Sequence, residues 1–276
     1  MRRGSGLAAL LLLAACSSTP SNAQPIATTT TAPVIAVVDD GTPVITMHFT
    51  CYGECAYLWP GDLPQVAVYA DGTVVAAEFP QGQGDPPMVM TRGHVTAEQV
   101  QALAVAATEA GLHGQGRLPN SRPPDEIQIA DGGGTVFTFR SGSAIAVREV
   151  EHLYSGEDFN QTGERAKLLV LQQLLRAIAE TATDPLPITQ WAVVFKPQPI
   201  VNEVPEWPGP DLSMLSATSW GDFRCSILDG GAWSLTATAT YDAYYRSGGS
   251  TWFVSTRPLL PHEQGCDDVI VWWPTR

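Results

Sequence analysis

The alternation of apolar and polar positions between residues 43 and 183 divides that stretch into strands and two helices. Residues 43–50 alternate as a half-buried strand does. Residues 65–70 and 73–77 are β-rich runs separated by Asp71-Gly72, and Asp-Gly supplies the positive φ angles that a tight hairpin turn requires. A second hairpin is expected where Asp131-Gly132-Gly133-Gly134 separates residues 126–129 from 135–139. Residues 144–150 read as a further strand. Helical periodicity takes over twice. Val100, Leu103, Ala104 and Ala107 share one face, behind Thr96 and Gln99 at capping-box spacing, with Val95 and Val100 placed to staple across the cap and Gly111 as the stop. Residues 162–181 form a second helix whose apolar stripe is Leu168, Leu171, Leu175 and Ile178. Alternating strands and single-striped helices together predict an α+β domain over residues 44–183, an antiparallel sheet with both helices on one face.

The pattern changes after residue 183. Pro185, Pro187, Pro197, Pro199, Pro205, Pro208 and Pro210 interrupt it, and seven of the eight tryptophans lie at or beyond Trp191. A boundary near residues 184–190 and a smaller, Trp-rich domain over 191–276 follow. Its strand candidates are residues 191–195, 223–228, 250–255 and 269–273. Residues 232–243 have helical length, but Thr236, Thr238 and Thr240 favour a strand. The second domain therefore reads as α+β or mostly β.

Residues 1–43 carry no core-forming periodicity. Arg2 and Arg3 precede an apolar run of about nine residues that ends in Leu13-Ala14-Ala15-Cys16. That run is far short of the ~20 residues of a spanning helix. The segment resembles a bacterial lipoprotein signal peptide, residues 1–15, whose removal would leave Cys16 as a lipidated N-terminus. The resemblance implies a diacylglyceryl thioether on Cys16, with acyl chains of the palmitate class. Two such chains suffice for stable anchoring. Residues 16–43, rich in Thr, Pro and Ala, then read as a disordered tether.

Charge narrows the partners. The chain carries −13 at neutral pH, and loss of Arg2 and Arg3 with the signal makes it two units more negative. Lys167 and Lys196 are its two lysines. Such a chain is poorly suited to nucleic acid or to an anionic membrane surface. The membrane enters through the lipid on Cys16.

Five cysteines are present; with Cys16 acylated, four remain, an even number in an exported chain. Three connectivities are open. Proximity and the domain boundary favour Cys51–Cys55 and Cys225–Cys266. His48-x-x-Cys51-x-x-x-Cys55 also sets three soft ligands close together, but no second Cys/His pair stands near them and the spacing is no zinc signature. No metal or cofactor is expected. The five histidines form no helix-spaced metal pair, and no nucleophile elbow or phosphate loop occurs. Glu149-x-Glu151 and Asp267-Asp268 are paired carboxylates of a kind usually solvated. The aromatic residues remain as the suggestion of a binding surface, at Trp252, Trp272 and Trp273, with Trp220 and Trp207 beside them.

The chain resembles uncharacterised actinobacterial lipoproteins. Residues 64–74 and 96–112 carry the likeness in the first domain. Arg224-Cys225 and the run Arg257-Pro258-Leu259-Leu260-Pro261 leading to Gly265-Cys266 carry it in the second. The resemblance implies an extracytoplasmic address and no catalytic residue. The expectation is a lipid-anchored envelope protein that binds a protein, peptide or glycan without catalysing a reaction. The alternatives are an envelope hydrolase whose site is assembled from dispersed acids, and a structural spacer or inhibitor.

Overall fold

A computed structural model describes residues 35–51, 63–78, 89–119, 133–153, 161–199, 203–230 and 242–270. The signal segment with Cys16, most of the tether, Cys55, residues 126–129 and 232–241, and the Trp272-Trp273 pair lie outside those residues. Among the described residues the fold is α+β, built from two mostly antiparallel sheets and three helices, with strands predominating.

The first sheet is assembled from β1 (Pro43–Cys51), β2 (Val66–Tyr69), β3 (Thr73–Glu78), β4 (Val89–His94), β5 (Gln115–Leu118), β6 (Gly133–Ser141), β7 (Ala144–Glu151) and β8 (Asp184–Pro185). Their order is β5-β7-β6-β1-β2-β3-β4-β8. Every pairing is antiparallel except β5 with β7. The Asp71-Gly72 hairpin forms as expected, with Gly72 at φ +89°. A Cβ there would lie 2.2 Å from the Val95 carbonyl oxygen, so the turn admits no side chain.

The second expected hairpin has its first strand, residues 126–129, outside the described residues. β6 has β1 along one edge and β7 along the other. Gly133 and Gly134 open this central strand.

Both helices bury one face against this sheet. α1 (Ala97–Glu109) opens with the full capping box: the Thr96 hydroxyl accepts from the Gln99 amide at 3.3 Å, and Gln99 Oε1 accepts from the Thr96 amide at 2.8 Å. Gly111 follows its C-cap at φ +89°. α2 (Glu164–Ala179) buries Leu168, Leu171 and Leu175. These meet Ile45, Met47, Val68 and Phe137 in one core, and Ile35 and Val37, ahead of β1, pack against its edge. Gln172 donates to the Thr135 hydroxyl across that core at 2.9 Å. Arg165, at the start of α2, donates to the carbonyls of Pro119, Glu151 and His152 and so ties the ends of β5 and β7 to the helix.

The second sheet contains β9 (Gln190–Pro197), β10 (Thr218–Trp220), β11 (Phe223–Asp229), β12 (Asp242–Ser247) and β13 (Ser250–Pro258), in the order β10-β11-β9-β13-β12. Its pairings are antiparallel throughout. One face packs Phe195, Trp252 and Val254 against Trp207 and Leu212 from the preceding loop. On the other lies the disulfide Cys225–Cys266, with Cα atoms 5.8 Å apart, which ties α3 (Cys266–Ile270) to β11. The strand expected over residues 269–273 is therefore corrected at residues 269–270; residues 271–273 lie outside the described residues. Residues 266–270 are helical because the disulfide holds the chain against β11 and the Asp268 carboxylate accepts from the amides of Gln264 and Gly265, closing a turn before a strand can begin. No helix of the described residues is long and apolar enough to cross a membrane.

Candidate functional site

Two arrangements of chemistry-bearing side chains stand out, one on the helix-free face of the first sheet and one on the second sheet.

Alternation turns Thr46 and His48 of β1 and Tyr69 of β2 away from the helices. Ala67, Tyr69, Val75, Ala77 and Met90 meet Leu260, from the segment after β13, on this face. The contact is partly polar. Tyr69 and His262 meet edge-on, their centroids 5.8 Å apart, and Tyr69 Oη lies 3.1 Å from His262 Nδ1. Burial, with Glu263 and Asp71 nearby, raises the Tyr69 phenol well above its ordinary range. It therefore keeps its proton, and the tautomer of His262 sets which of the two groups donates. Arg257 and Glu263 form a two-pronged pair at 2.9 and 2.6 Å with side chains 1% and 0% exposed. Glu263 also accepts from the Leu260 amide at 2.7 Å. Loss of solvent around the His48 ring, with the Arg257 charge in reach, lowers His48 to about 4. Burial first, then the balance of Glu263, Arg257, Asp268 and Arg140, lowers His262 as well.

Glu149 and Glu151 lie at the other end of the same sheet. They do converge, and they converge on Arg117: its guanidinium reaches Glu149 Oε2 at 3.8 Å and Glu151 Oε1 at 2.5 Å. Arg117 thus bridges the two carboxylates as their shared ion-pair partner. Of the other acid pair, Asp267 is exposed and Asp268 closes the turn before α3. Among the described residues no group of three or more His, Cys, Asp or Glu could hold a metal ion.

The second sheet carries an aromatic row. Trp220 pairs with Phe223 across β10 and β11. Phe223 lies beside Lys196 of β9, whose ammonium sits 4.6 Å from its ring centroid. Lys196 pairs with Phe253 of β13, and Phe253 with Tyr244 of β12. One register line, Trp220, Phe223, Lys196, Phe253 and Tyr244, thus crosses all five strands, about 19 Å at ordinary strand spacing. Trp220 leans on Phe223 at 5.9 Å, and Tyr244 meets Phe253 edge-on at 5.6 Å. Phe253 in the middle is buried. Trp220 and Phe223 at one end are partly exposed, and Tyr244 at the other is 42% exposed.

This row corrects the expected binding surface. Trp252 is 6% exposed, packs edge-on against Phe195, and donates its indole N–H to the Ser247 carbonyl at 3.0 Å. One position earlier on β13 than Phe253, it faces the opposite side, into the core with Trp207. Trp272 and Trp273 lie outside the described residues. Of the expected tryptophans Trp220 is partly exposed and Trp207 is buried, and Phe223 and Tyr244, which the sequence reading did not name, join Trp220 in the row. Only the register of five strands lines them up. Of the cysteine pairs, Cys225–Cys266 is formed; the Cys51–Cys55 pair falls outside the described residues. Arg257 did carry a sequence signal, as a lone charge closing the apolar run of β13, but its partner six residues on had none.

No protein-family model, no curated protein and no solved structure matches the chain.

Proposed function

We propose that the protein is a lipid-anchored component of the cell envelope, held through Cys16 and facing the extracytoplasmic side, and that its folded body binds a protein, peptide or glycan without catalysing a reaction. The observation that carries the binding half of this reading is the aromatic row of the second sheet. Aromatic rings combine a large apolar area with few rotors to freeze, and they dominate recognition surfaces for that reason. The open ends of the row, Trp220 with Phe223 and Tyr244, offer such area beside the Lys196 ammonium. The disulfide and α3 brace β11, so the Trp220 and Phe223 end sits on a supported frame.

The ionisable clusters favour binding over hydrolysis. Glu263 is engaged by Arg257 and the Leu260 amide, and Glu149 and Glu151 are engaged by Arg117. Each acid is already committed to holding structure. The anchoring half rests on the Leu13-Ala14-Ala15-Cys16 segment, and the oxidised Cys225–Cys266 pair is in keeping with an exported address.

Capture from envelope extracts tests the reading, with residues 17–276 as bait beside a Trp220→Ala/Tyr244→Ser bait. Proteins and glycans retained by the first and lost from the second support it. Equal retention by both baits refutes the row as the binding surface. Membrane fractionation of a Cys16→Ser variant tests the anchor: the variant should leave the membrane fraction.

A further inference from the structure

The aromatic row is open at both ends and covered in the middle. Phe253 is 4% exposed, yet it belongs to neither packed cluster of the second sheet. Its neighbours in the row lie in the plane of the sheet. Tyr244 meets it edge-on at 5.6 Å, and Lys196 pairs with it from β9. Side chains on one face of a sheet stand side by side, so such neighbours flank a ring and leave its outer surface open. α3 lies on this face, where Val269 and Cys266 pack with Ala192, Val194 and Cys225. That cluster stops two residues short of Lys196 along β9. We propose that residues 271–273, Val-Trp-Trp, lie across the middle of the row as an intramolecular strap that a partner must displace. This rests on the reading of the row as the binding surface and names its regulation.

Reach favours this occupant. α3 ends at Ile270, with Val269 already packed at Val194. Lys196 follows Val194 on the same face of β9, and Phe253 is its partner on the next strand. At ordinary strand dimensions Phe253 lies about 8 Å from Val194, and three extended residues span about 10 Å. The Cys225–Cys266 disulfide fixes where the strap begins, because it holds α3 to β11 two residues from Phe223. Chemistry favours it as well. Indole rings pack on a floor of Phe253 and Tyr244, and their faces attract an ammonium such as that of Lys196. A segment joined to the sheet by so short a connection has an effective concentration in the millimolar range, so two indoles suffice to close it. Three residues cannot span the whole row. Trp220 and Phe223 at one end and Tyr244 at the other accordingly keep their exposure. The other run that borders this sheet, residues 231–241 with Trp233, leaves β11 beyond Asp229. Asp229 pairs with Gln190, at the end of β9 away from Lys196.

Lys196 makes the strap measurable, because Lys167 and Lys196 are the two lysines of the chain. Lys167, exposed on α2, is the internal standard. Brief treatment of the full chain in detergent with acetic anhydride, followed by mass spectrometry, gives the ratio of their acetylation rates. A strap closed about nine-tenths of the time shields the surface beneath it about tenfold. A Trp272→Ser/Trp273→Ser variant should therefore raise the Lys196 to Lys167 ratio several-fold, up to about tenfold. The same change in the envelope-capture bait should increase what is retained. Leu175→Ala lowers stability without touching the row and should leave the ratio unchanged. An unchanged ratio in the double variant overturns the strap. An equal rise in Leu175→Ala would mean global opening and would overturn it too. So would a rise with Trp233→Ser and none with the double variant, which would assign the cover to residues 231–241. Acetylation needs no partner, so the strap can fail while the row still captures one, and the row can fail while the strap stands.

Discussion

Replacing Glu263 by Gln removes one charge of the Arg257–Glu263 pair and keeps its volume. The two side chains are 1% and 0% exposed, so Arg257 would be left ionised without water or a counter-charge. Removing one partner of such a pair costs about 3–5 kcal/mol, because the remaining charge stays desolvated. Gln can still accept from Arg257 or from the Leu260 amide, but not with the charge that both bonds now use. About 4 kcal/mol is therefore expected for Glu263→Gln. The joint variant Arg257→Met/Glu263→Leu should regain most of it, since apolar replacements of a buried pair are often neutral. It should stop about 1–3 kcal/mol short, because the Leu260 amide loses its acceptor. Urea unfolding of residues 17–276 measures both. At a slope of ~3 kcal/mol per molar, the single variant should unfold about 1.3 M earlier than wild type. A single variant within about 1 kcal/mol of wild type, or a joint variant no better than the single one, would refute the idea that burial makes this pair costly to break.

Other consequences can be measured on the same chain. Leu175→Ala should cost about 2–5 kcal/mol while Leu174→Ala stays within about 0.5, since Leu175 is fully buried and its neighbour is 43% exposed; urea midpoints decide it, and equal effects would mean α2 is rotated from its described face. Gly93→Ala should lower the urea midpoint by about 1–3 kcal/mol in stability, because the new Cβ would stand 2.8 Å from Ala182 Cα and 2.9 Å from the Thr181 carbonyl oxygen. Opening Cys225–Cys266 by a Cys225→Ala/Cys266→Ala change should cost about 4 kcal/mol on the chain-entropy account of a 41-residue separation, read as a fall in the same midpoint. His48, held at about 4 in the fold, stabilises fully above pH 6.5, and that contribution, at most about 3 kcal/mol, is lost as pH falls towards 4. His48→Gln should flatten that limb of a stability–pH curve.

What could be read from the chain divides along the reach of the forces involved. The Thr96 cap, the Asp71-Gly72 turn and the stripes of α1 and α2 are set by neighbours within a few residues, and each stands where pattern and capping chemistry place it. β4 and β5 escaped because they are stabilised from outside. β5, Gln115-Gly116-Arg117-Leu118, has no alternating apolar face at all and exists by laddering onto β7 in parallel. Gly133 and Gly134 lie inside β6, where ladders to β1 and β7 hold them extended. Residues 269–270 have the branched, apolar look of a strand. A disulfide to a cysteine 41 residues earlier, together with the Asp268 carboxylate on the Gln264 and Gly265 amides, decides for a helix.

The candidate chemistry was hidden at a further remove. A motif search looks for residues whose spacing along the chain implies a shared face. Tyr69 and His262 are 193 residues apart, and the five members of the aromatic row come from five strands whose order differs from their order in sequence. Trp252 illustrates the cost of reading residue type without register. It is the largest side chain on β13, and alternation sends it inward with Trp207, while Phe253 beside it joins the row. Glu149 and Glu151 make the converse point. They have the two-residue spacing that puts both carboxylates on one face of a strand, as a paired-acid site would need. Their chemistry was settled by Arg117, delivered by the strand that sequence patterning missed. A site in this fold is therefore a property of which strands become neighbours, because strand pairing is what brings such side chains together across distance.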